Sequence, residues 1–166
     1  MLALDATFRV AGPEGLRDIP ARRFFTGLYE TALAEDEILQ DIVVPPAAAN
    51  SGAAFGKYAA RRAMDYTSTI SAGVELVRDP GDGMISAIGL GLGGVGVAPV
   101  WPEETEKILV GDAPSDDLFR RLQEAVFDEI DPLGDDLYSA DYKRHVASVI
   151  LKRTVREAYH RAGGGD

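Results

Sequence analysis

The sequence predicts an α+β protein in which a three-stranded antiparallel sheet packs against a bundle of three helices. Two patterns lead to this prediction: apolar residues alternate with polar ones in the middle of the chain, and they recur at three-to-four spacing towards its end. Residues 1–46 differ from both, because short apolar runs alternate there with turn residues, as is typical of strands and loops. With 166 residues, of which 46% are hydrophobic, the chain can bury one core or two small ones.

Three strands are predicted between residues 54 and 92. The segment "TSTISAGVELVR" has a period of two, which places four apolar residues on one face of a strand: Ile70, Ala72, Val74 and Leu76. The turn "DPGDG" follows, and "MISAIGLGL" returns beside it, with "AFGKYAAR" as the preceding strand of an antiparallel meander. Upstream, "PPAAANSGAA" is interpreted as a linker, because Pro45 and Pro46 interrupt regular structure.

Three helices are predicted after the sheet. Pro102 is suited to the first position of a short helix that ends near Gly111, since the first turn tolerates a missing N–H. Ser115 and Ser139 are suited to cap the second and third helices, because a serine hydroxyl accepts a hydrogen bond from the first-turn amides. The last helix is the longest, and one face of it is predicted to be buried: Tyr142, Val146, Val149 and Ile150.

The stretch "GLGLGGVGVAP" contains G-x-G-x-x-G at Gly91, Gly93 and Gly96, the spacing of a dinucleotide-binding turn. Such a turn requires a strand, the glycines and then a helix within a parallel βαβ unit. Here Pro99 and Pro102 follow the glycines, and no second parallel strand with a terminal acidic residue lies about twenty positions on. The motif therefore predicts a glycine-rich strand end, where glycine permits close backbone approach or positive φ.

Composition excludes several classes of function. The net charge of −10 opposes binding to nucleic acid or to anionic lipid, which both favour clustered lysine and arginine. The absence of cysteine excludes disulfides, thiolate nucleophiles and cysteine-ligated iron or zinc. His145 and His160 lack the spacing of a metal site, so no metal ligand is predicted. No leader or membrane span is evident, and a cytoplasmic protein is expected.

Four segments of this chain, in collinear order, resemble the FAD-binding medium subunit of the molybdenum hydroxylases, the family of carbon monoxide dehydrogenase, xanthine dehydrogenase and 4-hydroxybenzoyl-CoA reductase. The segments are "FFTGLYETALAEDEILQDIVVP", "AFGKYAARRAMDY", "IGLGLGGVGVAPVWPEETEKILVG" and "DPLGDDLYSADYKRHVASVILKR". The resemblance implies that residues 1–46 are the C-terminal end of an FAD domain of the PCMH or vanillyl-alcohol-oxidase type. Residues 52–160 would be the family's C-terminal domain, a three-stranded antiparallel sheet with a three-helix bundle.

The resemblance also implies cofactors and partners. In the family, electrons pass from a molybdenum cofactor in a large subunit, through two-iron two-sulfur clusters in a small subunit, to FAD and then to an acceptor. The two glycine-rich turns that hold the FAD pyrophosphate belong to an upstream half of the FAD domain and do not occur in this sequence. The chain is thus expected to be a fragment or half of a split subunit, inactive alone as an oxidoreductase component. The alternative is a structural docking module for the partner subunits that binds no flavin.

Four residues are implied to contact or support the flavin. By their places in the family's motifs, Leu39 of "DEILQDI" lines the flavin cleft, Lys57 of "KYAARR" contacts FAD, Tyr66 packs on the isoalloxazine, and Asp65 positions the same loop. An aromatic plane over the flavin excludes water, and a lysine charge favours the electron-rich reduced ring. No catalytic residue is implied. Without the resemblance, Lys57 is interpreted as an exposed strand lysine and Tyr66 as a packed aromatic residue with a solvated hydroxyl.

Overall fold

The computed structural model describes residues 1–59 and 69–163, and the elements named below belong to these ranges. The strands are Thr7–Gly12 (β1), Gly15–Pro20 (β2), Phe25–Gly27 (β3), Glu30–Thr31 (β4), Ile38–Val43 (β5), Ser51–Tyr58 (β6), Ile70–Arg78 (β7) and Ile85–Gly93 (β8). The helices are Ala21–Phe24 (α1), Glu103–Leu109 (α2), Asp116–Glu129 (α3) and Ala140–Ala162 (α4). None of these helices is both long enough and apolar enough to cross a membrane.

The first part of the chain consists of strands and loops, as its alternation of short apolar runs and turn residues predicts, together with the four-residue helix α1. Its main sheet has the order β2-β1-β5, and both pairings are antiparallel. Phe8 and Val10 alternate on the buried face of β1 and form a small core with Ile19, Ala21 and Phe24. Every residue of β5 is exposed, so this strand lies at the margin of the core.

The second sheet is the predicted antiparallel meander, with the order β6-β7-β8. The alternating residues of β7 from Ile70 to Leu76 are buried, and they face the helices across the larger core. Burial of a large aliphatic side chain contributes about 1.5–3 kcal/mol, so this alternation specifies which face of the sheet is covered. β6 begins at Ser51, inside the segment interpreted as a linker.

The helix caps agree with the sequence predictions at two positions. The hydroxyl oxygens of Ser115 and Ser139 accept hydrogen bonds from the amides of Leu118 and Tyr142, at 3.1 and 3.2 Å. α2 begins at Glu103, one residue after the predicted Pro102. The prediction for Tyr142 was wrong: its side chain is 40% exposed, because its ring packs against Tyr58 and Tyr138 and not into the core.

The glycines of β8 serve the contact between the two parts of the chain. Gly89 and Gly91 lie on the outer face of the sheet, Gly89 against the backbone of Ala3 and Gly91 against the Leu2 side chain and the Ala3 amide nitrogen. A Cβ on Gly91 would lie 2.9 Å from the Leu2 Cβ, a distance that real Cβ atoms essentially never show. Gly94 has a φ of +77° at the strand end. Close approach and positive φ therefore explain the glycine-rich motif, as the sequence predicts.

Candidate functional site

A cleft of about 300 Å³ lies between the first part of the chain and the outer face of the second sheet. It is bordered by the N-terminal segment, β3, all three strands of the second sheet and the loop after β8. Its lining residues are Met1, Leu2, Ala3, Phe25, Phe55, Ser71, Gly73, Gly91, Leu92, Gly93 and Pro99. Apolar groups predominate among them, and Ser71 supplies the one side-chain hydroxyl.

Two aromatic side chains form walls of this cleft. Phe55 lies on the outer face of β6 and is 67% exposed. Its register partner on β7 is Gly73, which in turn pairs with Gly91 on β8, so neither directly opposed position carries a side chain. Phe25 approaches from the first part of the chain, where its ring meets Phe24 edge-on at 5.1 Å between centroids. The cleft thus presents one aromatic group from each part.

Lys57 is placed beside the cleft by the same strand. It lies two residues after Phe55 on the exposed face of β6, and its register partner is the cleft residue Ser71. Directly opposed residues in an antiparallel pair have Cβ atoms about 4.5–5.5 Å apart. The site therefore combines an apolar slot with a cationic side chain at a neighbouring position.

The other predicted site residues are placed differently. Leu39 lies on β5 and pairs in register with Val10, so it belongs to the first sheet and does not line the cleft. Asp65 and Tyr66 lie outside the described residues. Sequence reasoning missed Phe25 and Phe55. Phe55 could have been noticed because it is an aromatic residue on the outward face of a predicted strand. The outward positions of the neighbouring strands include glycines and a serine, which do not cover a large ring.

Contacts away from the cleft also join the two parts of the chain. The guanidinium of Arg22 lies 3.6 Å from the ring centroid of Trp101, and it forms an ion pair with Asp5 at 3.5 Å. Trp101 packs against the core of the first part. The Nε of Arg22 and the Nε1 of Trp101 are buried without hydrogen-bond partners among the described residues. A cation–π contact between Arg22 and Trp101 therefore joins the two parts of the chain here.

A second cavity, of about 440 Å³, lies at the turn between β1 and β2. Two of its lining residues, Arg17 and Glu37, already satisfy each other through two hydrogen bonds of 2.6 Å. Hydrogen bonds from Arg17 and from the amide of Ala34 lower the pKa of Glu37 to about 2. Because these two charges are paired with each other, neither is available to an ionic ligand in this cavity. In residues 1–59 and 69–163, no cluster of histidine, aspartate or glutamate could hold a metal ion.

Two protein families match this chain, one in each part. The CO dehydrogenase flavoprotein C-terminal domain matches residues 54–158. The FAD binding domain in molybdopterin dehydrogenase matches residues 1–47.

Named relatives agree with these matches. The carbon monoxide dehydrogenase medium chain of Afipia carboxidovorans is 36% identical over 98% of this chain and 55% of its own length. The nicotine 6-hydroxylase medium subunit of Paenarthrobacter nicotinovorans is 32% identical over 95% of this chain and 54% of its own length. This chain therefore spans about 55% of the length of the carbon monoxide dehydrogenase relative.

A solved structure shows the same fold. The reconstituted CO dehydrogenase from Oligotropha carboxidovorans superposes with a TM-score of 0.90 at 31% identity, over 97% of this chain and 55% of that chain. The α+β architecture predicted from the sequence is thus confirmed. The predicted resemblance to the FAD-binding medium subunits of molybdenum hydroxylases is confirmed as well. The chain belongs to the CO dehydrogenase flavoprotein family, whose members include medium, FAD-binding subunits of molybdenum hydroxylases.

Proposed function

We propose that this chain is part of an FAD-binding medium subunit and carries electrons within a molybdenum-dependent oxidoreductase. The 36% identity to a carbon monoxide dehydrogenase medium chain over nearly the whole of this chain supports the assignment. In this proposal residues 1–46 belong to the FAD-binding domain and residues 52–160 to the C-terminal domain. The family matches at 1–47 and 54–158 support that division.

The cleft between the two parts of the chain is the main structural support for the proposal that FAD is the cofactor. Its aromatic walls at Phe25 and Phe55 and its glycine floor suit a flat, apolar ring, since glycines leave the sheet surface open. Among the described residues that line it, none is an arginine or a lysine, so we assign it to the isoalloxazine ring and not to the pyrophosphate.

The residues around this cleft have distinct roles in the proposal. When bound, the flavin supplies the capacity to accept and release electrons singly or in pairs. Phe25 and Phe55 pack against the ring and exclude water from it. Lys57, beside the cleft, favours the reduced ring through its positive charge. Leu39, Asp65 and Tyr66 remain proposed contacts on the basis of the family motifs.

The proposed partners follow from the same family assignment. They are a large subunit with the molybdenum cofactor, a small subunit with two-iron two-sulfur clusters, and the remaining part of the FAD-binding domain. The exposed strand β5, with apolar residues along its length, is suited to pair with that remaining part. We propose a cytoplasmic location, and no nucleic acid is expected as a partner because the net charge is −10.

Titration with lumiflavin, the ring system without phosphates, tests the cleft directly. Stacking of a base on an aromatic side chain contributes about 1–3 kcal/mol, so Phe55→Ala is expected to weaken lumiflavin binding by about five- to 150-fold. Phe127→Ala is a matched control, because Phe127 is also exposed but lies on α3. FAD itself is expected to bind weakly to this chain alone.

The outcomes separate the two candidate functions. Equal lumiflavin affinity for the wild type and Phe55→Ala would remove the cleft from the flavin site. Binding of neither lumiflavin nor FAD, alone or with the partner subunits, would favour the flavin-free docking module.

A further inference from the structure

Residues on the outer face of the second sheet form three rows that run across its strands. The rows follow from the register, because directly opposed residues of antiparallel strands point to the same face. We name them the polar row, the aromatic row and the acidic row. In that order, with one residue from each of β6, β7 and β8, they are Lys57, Ser71 and Gly93; Phe55, Gly73 and Gly91; and Ala53, Glu75 and Gly89. The aromatic row lines the cleft, and the other two rows lie on either side of it.

The polar row offers hydrogen-bond donors to the cleft. Ser71 lines the cleft, and its Oγ lies next to Gly93, where an added Cβ would be only 2.7 Å from it. In the part of the chain that the structure describes, the Ser71 hydroxyl has no hydrogen-bond partner. Lys57 adds an ammonium group, which donates hydrogen bonds and cannot accept them. This end of the cleft therefore suits a ligand edge that carries acceptors.

The acidic row offers acceptors at the opposite end. Glu75 lies on the outer face of β7, and the carbonyl group of Ala3 packs directly on Gly89. An ionised carboxylate and a carbonyl oxygen both accept hydrogen bonds and cannot donate them, so they repel a ligand oxygen. The C–H edge of an aromatic ring is weakly positive and is compatible with such groups. The two ends of this sheet face therefore favour opposite ends of a flat ligand.

The distance between the two ends suits a three-ring system. Each residue of a strand advances the chain by about 3.4 Å, so Ser71 and Glu75 are separated by about 13–14 Å along β7. The isoalloxazine ring system has two carbonyl oxygens at one end and a hydrocarbon ring with two methyl groups at the other. Its polarity therefore matches the direction from donors to acceptors on the sheet face.

We infer that the cleft binds the isoalloxazine ring in one orientation, with its carbonyl edge at the polar row and its hydrocarbon edge towards the acidic row. Ser71 donates a hydrogen bond to a ring carbonyl, and Lys57 places its positive charge at the same end. The inference rests on the proposed function, because it takes the cleft to be the flavin site. It adds Ser71 to that site as the residue that fixes the orientation of the ring.

Two flat probes separate this hydrogen bond from general packing. Lumiflavin carries the carbonyl edge, whereas phenazine has three fused rings and no carbonyl group. In titrations of the full chain, Ser71→Ala is expected to weaken lumiflavin binding about two- to twelvefold, the contribution of one hydrogen bond, and to leave phenazine binding unchanged. Phe55→Ala should weaken the binding of both probes, because both stack on that side chain.

Ser86→Ala is a matched control in the same sheet. Ser86 is exposed at the other end of β8, where its hydroxyl donates to the Val77 carbonyl at 3.2 Å. Its removal should leave the affinities for lumiflavin and phenazine unchanged.

Infrared spectroscopy of bound lumiflavin tests the orientation of the ring. A hydrogen bond to a carbonyl oxygen lowers the stretching frequency of that carbonyl. The carbonyl bands of lumiflavin should therefore lie at higher frequency in Ser71→Ala than in the wild type, and Ser86→Ala should not shift them.

The outcomes separate this inference from the proposed function. If the wild type binds lumiflavin, unchanged carbonyl bands in Ser71→Ala would overturn the inference, as would an equal loss of lumiflavin and phenazine affinity or no loss of either. These results would leave the flavin assignment in place. A wild type that binds neither lumiflavin nor FAD, alone or with the partner subunits, would overturn the proposed function and this inference with it.

Discussion

Replacement of Gly89 by alanine is expected to separate the N-terminal segment from the second sheet. A Cβ at Gly89 would collide with the carbonyl group of Ala3, and its distances to the Ala3 carbonyl carbon and Cα would be 3.1 and 3.4 Å. The obstacle is backbone, which cannot rotate away as a flexible side chain can. The segment of residues 1–6 must therefore move as a unit or lose its contact with β8.

The contacts of Gly89 indicate how far its replacement should lower the melting temperature, and Gly73 offers a matched control. Extra atoms in a packed contact cost about 1–3 kcal/mol. For a protein of this size, each kcal/mol lowers the melting temperature by about 2–4 °C, so a decrease of about 2–12 °C is expected. Gly73→Ala introduces the same methyl group on the same sheet face, but at an ordinary contact distance of 3.6 Å from the Ala3 Cβ. It should leave the melting temperature unchanged or raise it slightly.

Circular dichroism melting curves and hydrogen exchange at residues 1–6 measure the two effects. Gly89→Ala is expected to lower the melting temperature and to accelerate exchange in that segment. If Gly89→Ala and Gly73→Ala gave the same melting temperature and the same exchange, the close backbone contact would not contribute to stability, and the explanation of the glycine-rich strand would fail.

Two further predictions concern the first part of the chain. Because the pKa of Glu37 is lowered from 4.5 to about 2, its ion pair with Arg17 stabilises the fold above pH 4.5, and this contribution is lost as the pH falls towards 2. The difference in melting temperature between wild type and Glu37→Gln should therefore narrow over that range, and a constant difference would contradict it. Secondly, Ile38→Lys on the exposed strand β5 should reduce self-association in light scattering, whereas Leu16→Lys on β2 should not. A strictly monomeric wild type would contradict this prediction.

Local features of the fold could be predicted from the sequence because each is determined by nearby residues. The alternation around Val74 indicates a strand with one covered face, and a serine before a helix indicates a cap, as Ser115 and Ser139 show. The glycines of "GLGLGGVGVAP" were correctly separated from a dinucleotide turn because the helix that such a turn requires is interrupted by prolines.

The contacts that build the cleft could not be predicted, since they join residues far apart in the sequence. Phe25 and Phe55 lie in different parts of the chain, and no local pattern indicates that they border the same space. The error at Tyr142 has the same origin. Helical spacing places it on the buried stripe of α4, but Tyr58 and Tyr138, its actual neighbours, are specified only by the tertiary arrangement.

Glycines on the outer face of the second sheet have two roles: they admit the N-terminal segment, and they leave the cleft open. Near Gly89 and Gly91 the missing side chains admit the Ala3 backbone and the Leu2 side chain, and near Gly73 they leave the cleft open beside Phe55. A ligand in this cleft touches both parts of the chain, so its binding free energy adds to their association. At a concentration one hundred times its dissociation constant, a ligand stabilises the folded state by about 2.7 kcal/mol. That is comparable with the cost of one misplaced methyl group in the same interface, about 1–3 kcal/mol. Ligand binding in the cleft and packing between the two parts of the chain therefore stabilise each other. A side chain added at Gly89 should weaken the packing, and with it the binding of a ligand.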